Sequence, residues 1–388
     1  MLANPNKGTI TWMWSSAEKR PAFMSESVTS ETPCTLTVAV VIPVYNGGDA
    51  FEQCIASVMA ANPAPDEIIV VDDGSTDHSC EIARREGIRL IHTGRQQGPA
   101  VARNLGVQAA KSDWIFFIDA DVTITPNTVE ILKSKIANDQ TVDALIGSYD
   151  NSPGAPNLLS QYKNLLHHYT HQQSSSEGFT FWGACGAIRR NVFLEQGGFD
   201  ESYLRPSIED IELGYRLNAA NYKISVYHDL QVKHLKRWDS ASLLRTDVFQ
   251  RAIPWSKLLL KYGQMKNSLN LSHWCRARVA VSGLIVLFAA LGVVWPRLLW
   301  AAAGLMVTLL ILDFPVLNWF RRERGLLFAI RIIPWHWFSH FYSGIAFAAV
   351  LADQQLMKLN GTILPEAPVS TVAVANSSLD SEGVETVS

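Results

Sequence analysis

Short hydrophobic runs alternate with mixed segments over residues 37–118. Runs rich in β-branched residues at 37–44, 67–71, 88–92 and 114–118 predict buried strands. Segments at residues 50–61 and 101–110 carry apolar residues at helical spacing and predict helices between those strands. This alternation is typical of an α/β fold with a largely parallel sheet.

Beyond Arg278 the hydrophobic pattern changes to long apolar segments at residues 279–295, 298–320 and 326–352. A membrane-spanning helix needs about 20 apolar residues to cross about 30 Å of hydrocarbon. The first two segments therefore predict a transmembrane hairpin. The third contains Arg331 and Pro334, so it is either one kinked span or an interfacial helix followed by a shorter span. A buried helical core in a soluble protein is the alternative, but three such segments leave too little polar surface to cover them.

Positive charge predicts the orientation of these segments. Residues 233–278 hold ten Lys or Arg against two Asp, which places this flank and the domain before it on the cytoplasmic side of the inner membrane, in a multi-pass protein. Within residues 239–277 cations interleave with apolar residues, as in a helix that lies among lipid headgroups. A helix docked on the preceding domain is the alternative.

Composition limits the possible functions of the protein and indicates the character of its two terminal segments. The net charge of −3 argues against a nucleic-acid partner. The five cysteines are scattered, which indicates reduced thiols rather than a disulfide framework. Residues 1–33 lack the apolar run of a signal peptide and are expected to be a disordered tail, as are residues 354–388.

Acidic residues follow two of the predicted strands directly. Asp72 and Asp73 end the second strand, and Asp119 and Asp121 follow the fourth. Ligands of open parallel sheets bind beyond the carboxyl ends of the strands. Mg²⁺ is commonly held by one or two carboxylates together with phosphate oxygens. The pattern therefore predicts a divalent-metal and diphosphate site. Asp72 is also suited to a turn or helix cap, because Ser75 and Thr76 follow it.

Six motifs in series give the chain its family resemblance. They are Val41-Ile-Pro-Val-Tyr-Asn46, Ile69-Val-Val-Asp-Asp-Gly-Ser-Thr-Asp77, Gly98-Pro-Ala-Val-Ala-Arg-Asn104, Phe117-Ile-Asp-Ala-Asp121, Gly197-Gly-Phe-Asp-Glu201, and Glu209-Asp210 with Leu213-Gly-Tyr-Arg216. Residues 36–238 thereby resemble the family 2 glycosyltransferases of the GT-A fold, a Rossmann-like architecture. The expected domains are a GT-A domain at 34–238, the basic segment at 239–277, and two or three transmembrane helices at 278–353.

The resemblance implies roles for individual residues. A donor nucleotide-diphosphate sugar, with a UDP-sugar favoured, would contact these residues: Pro43 and Tyr45 at the nucleoside, Asp73 at the base, Arg103 at the pyrophosphate, and Asp119 near the ribose. Asp121 would hold Mg²⁺ or Mn²⁺, and Asp210 would act as the general base of an inverting transfer. Glu209 has a supporting role. A helix-capping role for Glu209 or Asp210 is the alternative.

Two further residues bear on the metal and the acceptor. His234 begins a His-x-x-Arg-Trp sequence where processive members carry Gln, so the resemblance favours a non-processive enzyme. His234 is then a candidate contact for the metal or pyrophosphate, or a histidine bonded locally. Trp182, in an aromatic run with Phe179 and Phe181, is a candidate for the acceptor wall, with a buried core loop as the alternative.

The acceptor follows from Asp210, since a hydroxyl needs a general base and a phosphate does not. The sequence therefore predicts transfer to a hydroxyl of a lipid, glycolipid or lipid-linked saccharide at the cytoplasmic membrane face. A polyprenyl-phosphate sugar transferase and a non-catalytic nucleotide-sugar-binding scaffold remain alternatives.

Overall fold

The computed structural model describes residues 36–263 and 272–360. The predicted tail at 1–33, Cys34 and Thr35, residues 264–271 of the basic segment, and residues 361–388 of the second tail lie outside the described residues. Residues 354–359, which belong to the predicted disordered tail, are instead the end of the last helix. The strands are β1 (Val38–Val44), β2 (Glu67–Asp72), β3 (Arg89–His92), β4 (Trp114–Ile118), β5 (Val122–Ile124), β6 (Ala144–Tyr149), β7 (Cys185–Arg189) and β8 (Ile224–His234).

The helices run the length of the described chain. They are α1 (Gly48–Met59), α2 (Ser79–Arg85), α3 (Pro99–Ala109), α4 (Thr128–Asn138), α5 (Leu158–Gln172), α6 (Arg190–Glu195), α7 (Glu209–Ala219), α8 (Ser240–Arg245), α9 (Ile253–Tyr262), α10 (His273–Leu291), α11 (Arg297–Arg324) and α12 (Leu326–Leu359). A π-helical stretch, Thr246–Ala252, joins α8 to α9. The predicted strands agree with β1 to β4 within a residue at each end, and the predicted helices agree with α1 and α3 within about two.

Within the described residues the strands form one mixed sheet in the order β3-β2-β1-β4-β7-β6-β8-β5. The first four are parallel, β7 runs antiparallel to β4 and β6, and β5 runs antiparallel to β8. The predicted α/β class is confirmed. The other half of the sheet, in which β6 pairs with β8 in parallel and the remaining pairs are antiparallel, lies beyond the strands that the sequence predicts.

Both faces of the sheet are buried, as β1 illustrates. Val40 and Ile42 belong to one core cluster, whereas Ala39 and Val41 belong to the cluster on the opposite face. A strand that is buried on both faces needs apolar residues at every position, which explains its continuous β-branched run. Register places Val44 of β1 opposite Asp72 of β2, and Val41 opposite Phe117 of β4, so the acid-containing turns after β2 and β4 emerge at the same edge.

The C-terminal helices pack directly on the α/β domain through α5. Tyr162 and Leu165 of α5 share a buried cluster with Phe320 of α11 and Ile332 of α12. The third apolar segment forms one continuous helix of 34 residues that includes Pro334. Its placement, as one kinked span or as an interfacial part followed by a shorter span, stays a prediction. By length and composition, α10 and α11 could each cross a membrane.

The basic segment forms a helical stretch that contacts the α/β domain. Leu258 and Leu259 of α9 are buried in one cluster with Ile208 and Tyr215. Phe249, in contrast, is 66% exposed. The described part of this segment is therefore docked on the domain along one side, as in the alternative above, and a placement among lipid headgroups stays a prediction for its exposed side.

Candidate active site

The turn after β1 is tied to the turn after β2. Asn46, at a φ of 51°, accepts a hydrogen bond at Oδ1 from the Thr76 N–H (2.8 Å) and donates its own N–H to Ser75 Oγ (2.9 Å). This pairing presents Tyr45 at the edge of the sheet, 45% exposed. Pro43 is buried within β1. Contacts of Pro43 and Tyr45 with a nucleoside stay predictions.

Asp72 and Asp73 have different partners. Asp72 accepts the Ser75 N–H (3.0 Å), which is a turn contact. Asp73 is 4% exposed and accepts the backbone N–H groups of Gln97 and Gly98, both at 2.8 Å. Asp73 therefore holds the connection between β3 and α3 in place. Its predicted contact with a nucleotide base would use lone pairs that these donors leave free.

Arg103 joins two acidic elements that are distant in sequence. Its Nη2 lies 2.7 Å from Asp119 Oδ1 and its Nη1 lies 2.9 Å from Glu209 Oε1. The guanidinium is almost fully buried, so these carboxylates neutralise it. The supporting role of Glu209 on the acceptor side stays a prediction. A contact between Arg103 and a pyrophosphate stays a prediction, since both terminal nitrogens already have carboxylate partners.

Sheet pairing brings His234 beside Asp121. Val122 of β5 is the register partner of His234 at the end of β8, and His234 Nε2 lies 3.4 Å from Asp121 Oδ2. His234 Nδ1 lies 2.7 Å from Asn164 Oδ1, and the ring stacks on Tyr149 with centroids 4.5 Å apart. An amide oxygen only accepts, so Nδ1 carries the proton in this contact.

These contacts fit a divalent cation at Asp121 and His234. When His234 Nδ1 donates to Asn164, the Nε2 lone pair faces the Asp121 carboxylate, and a cation between these two groups would bind to both of them. At metal sites, a histidine that binds the metal through one ring nitrogen commonly donates the N–H of its other ring nitrogen to an oxygen. Burial opposes ionisation of Asp121, but His234 and Lys236 outweigh it and lower its pKa to about 2.

Asp210 lies at the start of α7 and faces the loop before β7. Its Oδ2 accepts the Gly183 N–H at 3.0 Å, and its Oδ1 accepts the Ile211 N–H at 2.7 Å. Burial first, and then the neighbouring Glu209 carboxylate, raise the pKa of Asp210 to about 6, against the opposing effects of the Gly183 N–H and Arg103. A carboxyl group with this pKa is suited to accept a proton near neutral pH.

The backbone of α7 passes unusually close to the loop that carries Gly183. A Cβ added to Gly214 would lie 2.3 Å from the Phe181 backbone nitrogen. Only glycine allows this approach, which places Asp210 within reach of Gly183. Gly197 and Gly198 adopt φ values of 76° and 73°, in the left-handed region that favours glycine.

Two residues of the aromatic run, Phe181 and Trp182, have different environments: Phe181 lies in the core and Trp182 lies at the site. Phe181 is 1% exposed and packs on Phe117, so it belongs to the core and does not form an acceptor wall. Trp182 makes edge contacts with the rings of Tyr149 and His171, both at 4.7 Å. Trp182 thus lies between two parts of the site. On one side it is followed by Gly183, which bonds to Asp210, and on the other side it contacts Tyr149, which stacks on the His234 ring beside Asp121.

Three site residues were not singled out by the sequence analysis. Tyr149 and Asn164 support the His234 ring, and Gly214 allows the close approach of α7. Tyr149 and Asn164 stand in no motif, so nothing in the sequence marks them. Gly214 stands within the Leu213-Gly-Tyr-Arg216 motif, which is the one signal that could have pointed to it.

Comparison with known proteins agrees with this geometry. Residues 39–197 match glycosyl transferase family 2. Glycosyltransferase GlyG of Streptococcus pneumoniae is 34% identical over 119 residues, which is 29% of this chain and 39% of that protein. The N-acetylglucosaminyl-diphospho-decaprenol L-rhamnosyltransferase of Mycobacterium tuberculosis is 29% identical over 228 residues, 50% of this chain and 74% of that protein.

A solved structure shares the fold. The mannosyltransferase PcManGT of Pyrobaculum calidifontis, solved with GDP-Man and Mn²⁺, superposes with a TM-score of 0.55 at 20% identity, over 77% of this chain and 87% of that one. The family match ends before Asp210 and His234, so their roles rest on geometry. With the motifs, the sheet order and these matches together, residues 39–197 are identified as a glycosyl transferase family 2 region, and the α/β domain that contains them has the GT-A fold.

Proposed function

We propose that this protein transfers a sugar from a nucleotide-diphosphate donor to a hydroxyl of a lipid or lipid-linked saccharide, at the cytoplasmic face of the inner membrane. The observation that carries the proposal is the position of Asp210, whose pKa is about 6, across Gly183 and Trp182 from the Asp121–His234 pair. One acceptor base beside one metal-binding pair is what a single in-line displacement requires. Such a displacement inverts the anomeric centre.

The donor would bind at the edge where β1, β2 and β4 end. Tyr45 offers an exposed ring for a nucleoside base, and Asp73 and the Asp119–Arg103 pair border the same edge. Asp121 and His234 would hold Mg²⁺ or Mn²⁺, which supplies a Lewis acid that stabilises the departing diphosphate. Mn²⁺ and GDP-mannose in the archaeal mannosyltransferase of the same fold support a metal and a nucleotide sugar here. A UDP-sugar is the donor that the family resemblance favours.

Asp210 would remove the proton from the acceptor hydroxyl. Its two backbone donors hold the carboxylate in one orientation, and burial keeps its pKa close to the working pH. A positioned base contributes about 10²–10⁴-fold to the rate of such a transfer. Arg103 and Glu209 would position Asp210, because their ion pairs connect the loop of Asp119 to the start of α7.

The membrane location is supported by the exposed apolar surface of the C-terminal helices. In the most apolar windows of α10 and α11, only 11% and 22% of the residues are buried. Val293 and Trp300 are 85% and 81% exposed at the hairpin end. Exposure of this apolar surface to water would be unfavourable in free energy, whereas the hydrocarbon chains of a membrane would cover it. The Mycobacterium tuberculosis relative, which is named for a diphospho-decaprenol saccharide, supports a lipid-linked acceptor.

The full chain in detergent, incubated with a panel of nucleotide sugars and Mn²⁺, tests this proposal through nucleotide release. We expect turnover with at least one donor that needs both a metal and a hydroxyl acceptor, and that is lost in Asp121→Asn and Asp210→Asn. Asp229→Asn, on an exposed carboxylate paired with Lys135, is the matched control.

Two outcomes would contradict the proposal. Full activity of Asp210→Asn with a polyprenyl phosphate acceptor would identify a polyprenyl-phosphate sugar transferase. Nucleotide-sugar binding without turnover on any acceptor would identify a non-catalytic scaffold.

A further inference from the structure

A large cavity lies between the α/β domain and the C-terminal helices. Its volume is about 1140 Å³, and its walls come from α5, the π-helical stretch, α9, and helices α10, α11 and α12. Ile311, Leu312, Val316 and Phe347 line its apolar part. The cavity thus joins an apolar region among the candidate membrane helices to the domain that carries the active site.

One wall of this cavity is continuous with the active site. His167 lines the cavity and stacks on Tyr149, with ring centroids 5.7 Å apart. Tyr149 stacks in turn on His234, which lies beside Asp121. Two stacked ring contacts therefore separate the cavity from the candidate metal site. A molecule in the cavity would approach the site from the α5 side, next to Trp182.

The cavity walls carry more cations than carboxylates. Asp247 is the carboxylate among the lining residues, and it bonds to Lys163 Nζ (2.7 Å) and to the Tyr342 hydroxyl (2.7 Å). Arg278, which also lines the cavity, has Asp313 2.8 Å from its Nε. Arg251 and Arg276 also line the cavity. Neither has a carboxylate within ion-pair distance in the described part of the chain.

Several donors in these walls also lack an acceptor. Arg251 Nη1 donates to His167 Nε2 (3.0 Å), so His167 Nδ1 carries the ring proton, and this buried atom has no partner among the described residues. Arg276 Nε is also buried without a partner among the described residues, whereas Arg276 Nη2 lies 2.7 Å from His273 Nδ1. Unmatched cations with unsatisfied donors indicate an anionic ligand, because buried donors of this kind are normally bonded.

We propose that this cavity binds the acceptor lipid, with a phosphate or diphosphate group at Arg251 and Arg276 and the hydrocarbon chain among α10, α11 and α12. The inference rests on the proposed transfer to a lipid-linked hydroxyl and adds the chemistry that recognises the acceptor. A saccharide linked to that phosphate would extend past His167 and Trp182 toward Asp210. The cavity would thereby select an amphiphile that combines an anionic phosphate with a long apolar chain.

Equilibrium binding of radiolabelled farnesyl diphosphate to the full chain in detergent tests the cavity directly. EDTA is present, so that the diphosphate is not retained through a metal at Asp121. We expect Arg251→Gln and Arg276→Gln each to weaken binding by about tenfold or more, the loss of one charge-assisted contact. Arg251→Lys should retain part of the affinity, and Arg245→Gln, an exposed cation of α8 outside the cavity, should leave it unchanged.

A second variant guards against misfolding of the arginine variants. Ser343→Trp keeps every cation and fills the apolar part of the cavity, and it should also abolish binding. Unlabelled farnesol and inorganic diphosphate should each compete poorly, because each lacks one half of the proposed ligand. Phosphatidylglycerol should also compete poorly, because its phosphodiester carries one negative charge, whereas a diphosphate offers a charged group to each of Arg251 and Arg276.

Three results would overturn the proposal. They are undiminished binding in both glutamine variants, equal displacement by phosphatidylglycerol, which would indicate an ordinary membrane lipid, and full binding in Ser343→Trp. The transfer proposal fails separately: if no nucleotide binds with Mn²⁺ while farnesyl diphosphate still requires Arg251, the cavity assignment stands and the donor chemistry is wrong.

Discussion

Asp210 accepts a hydrogen bond from the backbone N–H of Gly183, with 3.0 Å between Asp210 Oδ2 and the Gly183 nitrogen. Gly183 follows Trp182, whose ring contacts Tyr149, so this bond connects the proposed base to the rings beside Asp121. The carboxylate therefore has a defined orientation.

Replacing Asp210 with Asn should remove the base while keeping the size of the side chain. We expect kcat to fall by about 10²–10⁴-fold with little change in donor KM, because the base acts on the acceptor proton. Steady-state kinetics with a hydroxyl acceptor measure this, with Asp229→Asn as the control. An unchanged kcat would show that the residue only caps α7.

Activity should depend on pH through Asp210. The pKa of this group is raised to about 6, and only the ionised form accepts a proton, so kcat/KM should reach a plateau above about pH 6 and decline below it. Glu209→Gln removes a neighbouring charge that raises this pKa, so the decline should move to lower pH. An acidic limb that does not move in Glu209→Gln would contradict the assignment.

Asn164 should affect the metal through His234. Asn164→Ala removes the oxygen 2.7 Å from His234 Nδ1, so the ring loses the partner that directs Nε2 toward Asp121. Loss of such a supporting contact typically costs about 10–100-fold in metal affinity or activity. We expect a higher Mn²⁺ concentration at half-maximal nucleotide release, and no change in Asn138→Ala, whose side chain is exposed. Equal Mn²⁺ requirements would show that His234 does not bind the metal.

Arg103 should be important for stability as well as for the site. Arg103→Met leaves Asp119 and Glu209 without their shared cation, and breaking a buried ion pair in this way costs about 3–5 kcal/mol. Arg85→Met, at an exposed pair with Glu52, should leave the stability nearly unchanged, because water screens an exposed ion pair. Thermal unfolding in detergent compares the two variants. Similar unfolding midpoints would show that the carboxylates do not depend on Arg103.

Gly214→Ala should displace α7. The added methyl would lie 2.3 Å from the Phe181 nitrogen, a backbone atom that cannot rotate away. We expect a reduced kcat with a loss of stability. Gly304→Ala, where an added Cβ meets no atom within 4 Å, is the matched control. Wild-type kcat in Gly214→Ala would show that the approach of α7 to this loop is not required.

The sequence by itself was sufficient for the features that depend on local pattern. Runs of β-branched residues predict the first four strands, because a strand buried on both faces needs apolar residues throughout. Asp73, Asp119 and Asp121 are predicted at one edge, because parallel strands end together. The long apolar segments predict α10 and α11, whose length and composition follow directly from residue order.

Tertiary structure alone decided which of these residues meet. His234 and Asp121 come together because β5 and β8 pair antiparallel across more than a hundred residues, a register that no local pattern encodes. Arg103 joins Asp119 to Glu209 for the same reason, since α3, β4 and α7 converge only in the folded domain. The cavity bordered by Arg251 and His167 also requires helices from both parts of the chain. Periodicity depends on neighbours in sequence, whereas these contacts depend on long-range packing.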